Sequence, residues 1–265
     1  MLRTDLCDEV QFTARHDGRI ELSSAASSAG PDRTSSHGSD CNGFPLDGTN
    51  LITRAADALQ QLTGTSLGIS IVVRKQIPME SGLGGGSGNA ATTLRALNQL
   101  WDLDLPEADL HDIAASLGSD INFLLSGCRA AVCRGRGEQV EGIPLNGQLH
   151  GVLAVPRTGN STRKVFAALQ YGDTVREPDA LIDAFRIGAL HVAENGCFNR
   201  LQEPACQINS EIRQLLADLK RITGTGILTG SGSACFSFLP SRRRALAAAS
   251  ELNLRTSNQC WAFRC

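Results

Sequence analysis

The sequence predicts a two-lobed protein of mixed helices and strands, in the α/β or α+β class. Short β-branched runs such as Ile69–Lys75 (ISIVVRK) predict strands, because branched side chains pack well on a pleated sheet. Other segments show apolar residues at helical spacing, as at Ala90, Leu94, Leu97 and Trp101. The composition changes near Ile143–Gly147, which predicts a boundary between an N-terminal lobe, 1–145, and a C-terminal lobe, 146–265.

In the first lobe, alternating polar and apolar residues on both sides of a His-Asp-Gly turn predict a β-hairpin over Val10–Leu22. The serine- and glycine-rich stretch Ser23–Gly43 predicts a flexible loop, because it has few apolar residues to bury. Asn50 is a candidate cap for the next helix. The remaining predicted elements of this lobe are helices at Leu51–Leu62 and Pro106–Leu117 and a hairpin at Ala130–Val140.

The second lobe is predicted to begin with a strand at Gly151–Val155 and to alternate helices with turns. Its predicted helices are Arg163–Gln170, Ala180–Leu190, Ser210–Ile222 and Arg242–Leu252. The chain ends in a strand-like run, Cys260–Phe263.

Composition narrows the functional class. The 265 residues carry a net charge of -2, which gives no reason to expect a nucleic-acid or anionic-membrane partner. Apolar runs are too short to cross a bilayer, and the N-terminal sequence lacks a signal-peptide pattern. The nine cysteines form no C-x-x-C pair and the five histidines show no metal-ligand spacing. We therefore expect a cytoplasmic protein with free thiols and no protein-built metal site.

The most informative segment is Pro78–Gly88, PMESGLGGGSG, in which five of the seven residues from Gly82 to Gly88 are glycine. It lies between a predicted strand and a predicted helix, where free N–H groups and the helix dipole favour phosphate. A tight turn without a ligand is the alternative, but one or two glycines would be enough for that. The candidate nucleotide-binding residues are Pro78, Met79, Glu80, Ser81, Gly82, Leu83, Gly84, Gly85, Gly86, Ser87 and Gly88.

Common phosphate-loop patterns do not fit this segment. No lysine follows the glycines as in a P-loop, and Ser87 stands where the Rossmann pattern needs its third glycine. The remaining pattern, P-x-x-x-G-L-G-G-G-S-x-N-A-A, resembles the second motif of the galactokinase, homoserine kinase, mevalonate kinase and phosphomevalonate kinase (GHMP) superfamily. That resemblance implies two lobes with the active site between them, ATP as phosphate donor, and Mg²⁺ bound with the ATP.

Within this superfamily the triple glycine and Ser-x-Asn-Ala-Ala look most like the subfamily whose acceptor is 4-diphosphocytidyl-2-C-methyl-D-erythritol. The resemblance implies transfer of the ATP γ-phosphoryl group to the 2-hydroxyl of that small molecule, on the non-mevalonate route to isopentenyl diphosphate. The turn Gly230–Gly232 resembles the third motif of the superfamily. Phe198–Ala205 and the Ser161-Thr162 pair also resemble segments of the subfamily.

Asp120 is the candidate catalytic residue. From the residues alone, the favoured interpretation is that Asp120 caps a short helix beginning at Ile121. The stretch Leu117–Leu124 (LGSDINFL) resembles the family's Leu-Gly-Ala-Asp-Val-Pro-Phe-Phe, whose aspartate is catalytic, and this implies that role for Asp120. Asn122 stands where the family pattern has proline, a change that we expect to affect the stiffness of the loop.

The family's opening strand, with its lysine, and the following Asp-Gly-aromatic-His pattern do not occur in this sequence. We therefore expect Met1 to be an internal methionine of a longer chain. Two alternatives stay open: another GHMP small-molecule kinase, such as a homoserine or mevalonate kinase, and a nucleotide-binding remnant without catalysis. The sequence does not decide between a monomer and a homodimer.

Overall fold

The computed structural model describes residues 1–25, 43–170, 177–188 and 196–265. Its strands are β1 (Glu9–Arg15), β2 (Ile20–Ser24), β3 (Gly68–Arg74), β4 (Ala131–Arg134), β5 (Gln139–Gly142), β6 (His150–Val155), β7 (Ile227–Leu228), β8 (Cys235–Leu239) and β9 (Gln259–Arg264). Its helices are α1 (Leu51–Thr63), α2 (Gly85–Leu100), α3 (Glu107–Leu117), α4 (Ile121–Leu125), α5 (Thr162–Ala167), α6 (Asp179–Ile187), α7 (Gln202–Ile208), α8 (Ser210–Thr223) and α9 (Arg242–Arg255). This mixture confirms the predicted α+β class.

The chain divides into two compact units. The first unit comprises Met1, Leu6–Ile77 and Gly84–Gly142, and the second comprises Leu2–Asp5, Pro78–Leu83 and Ile143–Cys265. The glycine-rich segment is thus shared, because its first part belongs to the second unit and its part from Gly84 onward to the first. The lobe boundary at 145/146 stays a prediction.

The sheet of the first unit has the strand order β1-β3-β2. β3 pairs antiparallel with β1 and parallel with β2, so the predicted hairpin over Val10–Leu22 is wrong although both of its strands exist. The reason lies in β3, where Ile69, Ile71 and Val73 are fully or almost fully buried. A strand this apolar is stabilised most when it lies between two others, and it outcompetes the local turn.

Helices α1 and α2 cover this sheet with the apolar faces that their spacing predicts. Asn50 caps α1 by accepting a hydrogen bond from the N–H of Ile52 at 3.0 Å, which confirms the predicted cap. The core residues contributed by α2 include Ala90, Leu94 and Leu97. β4 and β5 form the antiparallel hairpin predicted within Ala130–Val140, while most of the predicted loop Ser23–Gly43 falls outside the described residues.

The second unit is built on a sheet with the strand order β7-β8-β6-β9. Helix α5 ends at Ala167, earlier than the predicted Gln170, and α6 ends at Ile187, followed by Gly188 in a left-handed conformation. The core residues that α8 and α9 pack against the sheet include Ile212, Leu215, Leu219, Ala245 and Leu252. Among the helices of the described residues, none has the length and apolar character needed to span a bilayer.

Candidate functional site

The first turn of α2 presents backbone donors that the described side chains do not cap. The helix begins at Gly85, with Gly84 as its N-cap at φ 69°, and no side chain makes a capping hydrogen bond there. No acidic residue lies in that first turn. Since the first N–H groups of a helix have no partner within it, and the helix dipole adds positive potential, this turn suits an anionic group.

The effect that a side chain would have differs from one glycine of this turn to the next. Gly84 adopts the left-handed conformation that side chains disfavour. A Cβ atom on Gly85 would lie 3.0 Å from a methyl carbon of Ile77 and 3.3 Å from the ammonium of Lys75. Gly86 and Gly88 would meet only single leucine methyl groups, at 3.7 and 3.9 Å. At these two positions glycine leaves the backbone open to a close ligand.

The first part of the glycine-rich segment is held by main-chain hydrogen bonds within the second unit. The carbonyl of Glu80 accepts hydrogen bonds from the N–H groups of Asn160 at 3.3 Å and Ser233 at 3.1 Å. The carbonyl of Ser81 accepts one from Ala234 at 2.9 Å. Glu80 itself has φ 52°, an unusual conformation for a residue with a side chain.

Gly82 brings this segment into direct contact with the third glycine-rich motif. A Cβ atom on Gly82 would lie 2.6 Å from the carbonyl oxygen of Thr229 and 2.8 Å from that of Gly232. Any larger residue would push the two backbones apart. The hydroxyl of Thr229 also donates to the carbonyl of Gly82 at 3.3 Å. The structure therefore joins two motifs that lie far apart in the sequence.

Three buried polar residues anchor the strand that leads into the glycine-rich segment. The side chain of Asp8 is 0% exposed and pairs with the ammonium of Lys75, whose side chain is 6% exposed. Asp8 also accepts hydrogen bonds from the amide of Asn89 at 2.9 Å and from the N–H groups of Gln76 at 2.8 Å and Ile77 at 2.9 Å. This carboxylate thereby ties the end of β3 to the second turn of α2.

Asp120 lies at the start of α4 and does not act as its cap. It occupies the N-cap position, yet its side chain makes no capping hydrogen bond. Asp120 is accessible to solvent, but the surrounding protein removes part of its hydration and raises the pKa of the carboxyl group above its usual value. A carboxylate with a raised pKa is better suited to accept a proton than an ordinary one.

The helix of Asp120 packs beside the first turn of α2. Leu124 donates its N–H to the carbonyl of Asp120 at 3.3 Å. Its side chain lies 3.6 Å from the Cβ position of Gly84 and 3.9 Å from that of Gly88. The first unit therefore brings the helix that begins after Asp120 against the later part of the glycine-rich segment.

Comparisons with known proteins agree with these motifs. Residues 50–131 match the family described as the GHMP kinases N terminal domain. The chain is 39% identical over 240 residues to the 4-diphosphocytidyl-2-C-methyl-D-erythritol kinase of Polaromonas naphthalenivorans, covering 88% of this chain and 73% of that protein. It is 36% identical over 206 residues to the protein of the same name from Carboxydothermus hydrogenoformans, covering 76% of this chain and 71% of the relative.

The chain belongs to the 4-diphosphocytidyl-2-C-methyl-D-erythritol kinase family.

Two solved structures have a fold similar to that of this chain. A crystal structure of a 4-(cytidine 5'-diphospho)-2C-methyl-D-erythritol kinase is similar with a TM-score of 0.77 and 26% identity, over 98% of this chain and 87% of the other. The homoserine kinase of Cytophaga hutchinsonii has a TM-score of 0.70 at 15% identity, over 98% of this chain and 86% of the other. At that identity the second similarity shows a common fold alone.

In this member of the 4-diphosphocytidyl-2-C-methyl-D-erythritol kinase family, sequence reasoning missed the buried polar cluster of Asp8, Lys75 and Asn89. Lys75 was visible only as the end of a strand, and Asn89 only as part of the Ser-x-Asn pattern. A charged residue at the end of a buried strand was a usable signal for Lys75, because such a residue needs a partner. Nothing local marks Asp8, which lies 67 positions before Lys75.

Proposed function

We propose that this chain transfers the γ-phosphoryl group of ATP to the 2-hydroxyl of 4-diphosphocytidyl-2-C-methyl-D-erythritol, giving the 2-phosphate and ADP. The observation that carries the proposal is the uncapped first turn of α2 beside the helix of Asp120, in a chain of this kinase family. Phosphoryl transfer depends mainly on positioning and on stabilising charge, and this arrangement can supply both.

The nucleotide phosphates are proposed to lie against the segment Pro78–Gly88. Backbone N–H groups of Gly85, Gly86 and Ser87 are free of helix partners and donate to phosphate oxygens. The ammonium of Lys75, close to the Cβ position of Gly85, adds positive charge on the same side of the helix start. Asp8 keeps that ammonium in place through their buried ion pair.

Asp120 is proposed to orient the acceptor hydroxyl and to take its proton as the oxygen attacks the γ-phosphorus. Its carboxylate is not engaged in capping α4, and loss of hydration raises its pKa toward the value that a general base needs. When the oxygen–phosphorus bond forms, the bond from the γ-phosphorus to the bridging oxygen of ADP breaks. The hydroxyl proton then resides on Asp120 until solvent removes it.

Mg²⁺ is proposed to arrive with ATP. The described residues contain no group of three or more His, Cys, Asp or Glu side chains that could hold a metal ion by themselves. Mg²⁺ keeps much of its water and is often held by phosphate oxygens with few protein ligands. When bound, the ion would neutralise phosphate charge. Ser87 is the residue with a side-chain hydroxyl in the first turn of α2, among the free N–H groups.

The decisive experiment measures ADP release by the full chain with ATP, Mg²⁺ and a panel of acceptors. We expect ADP only with the diphosphocytidyl alcohol, and a product phosphorylated at its 2-position by phosphorus NMR. Equal ADP release with mevalonate or homoserine would assign a different GHMP kinase activity. ATP binding without ADP release for any acceptor would overturn the proposal in favour of a nucleotide binder.

A further inference from the structure

Asn122 is a buried amide that lies two residues after Asp120 on the short helix α4. The residue is 4% exposed. Its Oδ1 atom is 3.1 Å from Nδ1 of His111 on α3, and its Nδ2 atom donates to the carbonyl of Glu138 at 3.3 Å, next to β5. One side chain therefore connects α4 to two neighbouring elements of the first unit.

The chemistry of this bridge fixes the roles of its partners. The oxygen of an amide only accepts hydrogen bonds, so Nδ1 of His111 must carry the proton. The carbonyl of Glu138 only accepts, so it must face the amide nitrogen of Asn122. Both partners thus require the same orientation of the amide, and the two hydrogen bonds support each other.

Helix α4 needs such support. It contains only five residues, from Ile121 to Leu125, and a helix that short is not stable by its own hydrogen bonds. The same hairpin that accepts from Asn122 also contacts the residue before Asp120. A Cβ atom on Gly137 would lie 2.6 Å from the carbonyl oxygen of Ser119. The hairpin β4–β5 therefore contacts the chain on both sides of Asp120.

We propose that Asn122 is a positioning residue that holds Asp120 in its reactive place by bridging α3 and the β4–β5 hairpin. This inference rests on the proposed function, since it assigns Asn122 an effect on the reaction through Asp120. Asn122 is buried, and its amide bonds His111 and the carbonyl of Glu138, so we expect it to act through Asp120 and not on the nucleotide. Its loss should therefore lower kcat and leave the KM for ATP unchanged.

The test compares Asn122→Ala with a matched variant, Asn98→Ala. Asn98 is also an amide of the first unit that bonds main-chain groups, donating to the carbonyl of Leu105 at 3.1 Å and accepting from its N–H at 3.0 Å. We expect Asn122→Ala to lower kcat by about ten- to a hundredfold, the effect of a small misplacement of a reacting group, with KM for ATP unchanged. Asn98→Ala should lower the Tm and leave kcat at the wild-type value.

Two further measurements separate this inference from the proposed function. Wild-type turnover with the diphosphocytidyl acceptor tests the function itself. Hydrogen exchange at residues 119–125 needs no turnover, and it should become faster in Asn122→Ala and in His111→Ala but stay at the wild-type rate in Asn98→Ala. His111→Ala, which keeps the bond to Glu138, is expected to fold and to show a smaller loss of kcat. Wild-type kcat in Asn122→Ala, or equal losses in Asn122→Ala and Asn98→Ala, would overturn the inference.

Discussion

Asp8 and Asp120 are two aspartates of the same unit with opposite surroundings. The side chain of Asp8 is 0% exposed and receives an ammonium, an amide and two backbone N–H groups. Asp120 lies in contact with solvent at the start of a helix that it does not cap, and loss of hydration raises its pKa. The more deeply buried carboxylate is thus the better satisfied one.

This difference agrees with a structural role for Asp8 and with the proposed catalytic role for Asp120. A carboxylate has about four lone-pair positions, and the four donors around Asp8 occupy them all, so this group has no position left for a hydrogen bond from a substrate. Asp120 keeps its capacity, and its raised pKa makes proton transfer to it easier. The aspartate that is proposed as the general base is therefore the less buried of the two.

The largest expected effect is that of Asp120→Asn on turnover. Asparagine keeps the shape of the side chain but cannot accept a proton, so we expect kcat to fall by about 10²- to 10⁴-fold. The KM for ATP should stay the same, because the nucleotide is proposed to bind elsewhere. Steady-state ADP release measures both constants.

A matched control is Asp112→Asn, on the exposed side of α3, which should keep the wild-type kcat. If Asp120→Asn retains wild-type turnover, Asp120 is not the base, and the contrast with Asp8 loses its functional meaning.

Asp8→Ala should have the largest effect on folding. It leaves the ammonium of Lys75 buried without its partner, which typically destabilises a protein by about 3–5 kcal/mol. The free energy of unfolding from urea titration measures the loss. The double variant Asp8→Asn with Lys75→Met contains no buried charge and should recover most of that stability.

The double variant also tests the proposed role of Lys75 toward ATP. If the ammonium serves the phosphates, the double variant will be stable but will show a raised KM for ATP. A wild-type KM for ATP in a stable double variant would mean that Lys75 serves only as the structural partner of Asp8. An Asp8→Ala variant as stable as the wild type would contradict the account of the ion pair itself.

The sequence predicts those features of the fold and of the candidate site that are local in the chain. The glycine-rich segment, Asp120 and the Asn50 cap each follow from a few consecutive residues, and the structure confirms the cap directly. Asp8 was missed because its donors come from β3 and α2, far along the chain. The predicted hairpin over Val10–Leu22 failed for a related reason, since β3 pairs with both of its strands.

Asn89→Ala sharpens the contrast on the side of Asp8. It removes the amide donor at 2.9 Å and leaves the ion pair with Lys75 and the two backbone N–H groups in place. We expect a loss of about 1–3 kcal/mol in the free energy of unfolding, less than for Asp8→Ala. Urea titration of both variants under the same conditions makes the comparison. A loss as large as that of Asp8→Ala would mean that the hydrogen bond from Asn89, and not the ion pair, contributes most of the stability at Asp8.

The smallest expected effect is a gain of stability in Asp120→Asn. The folded-state pKa of Asp120 is raised above its usual value, so the folded protein binds the proton more tightly than the unfolded chain. The contribution of Asp120 to stability therefore falls as the pH rises from the unfolded pKa through the folded pKa, and the penalty persists at neutral pH. Asparagine removes this penalty, whereas Asp8→Asn leaves a buried ammonium without its counter-charge.

At pH 7 we therefore expect Asp120→Asn to raise the Tm by at most a few degrees, because solvent around the carboxylate limits the effect. The gain should vanish below about pH 3.9, the ordinary pKa of aspartate, where both forms are uncharged. Asp8→Asn should lower the Tm at pH 7. Thermal unfolding of the two variants across this pH range measures the two changes in Tm, which we expect to have opposite signs at pH 7. A lowered Tm in Asp120→Asn at pH 7 would instead show that the carboxylate of Asp120 stabilises the fold, as that of Asp8 does.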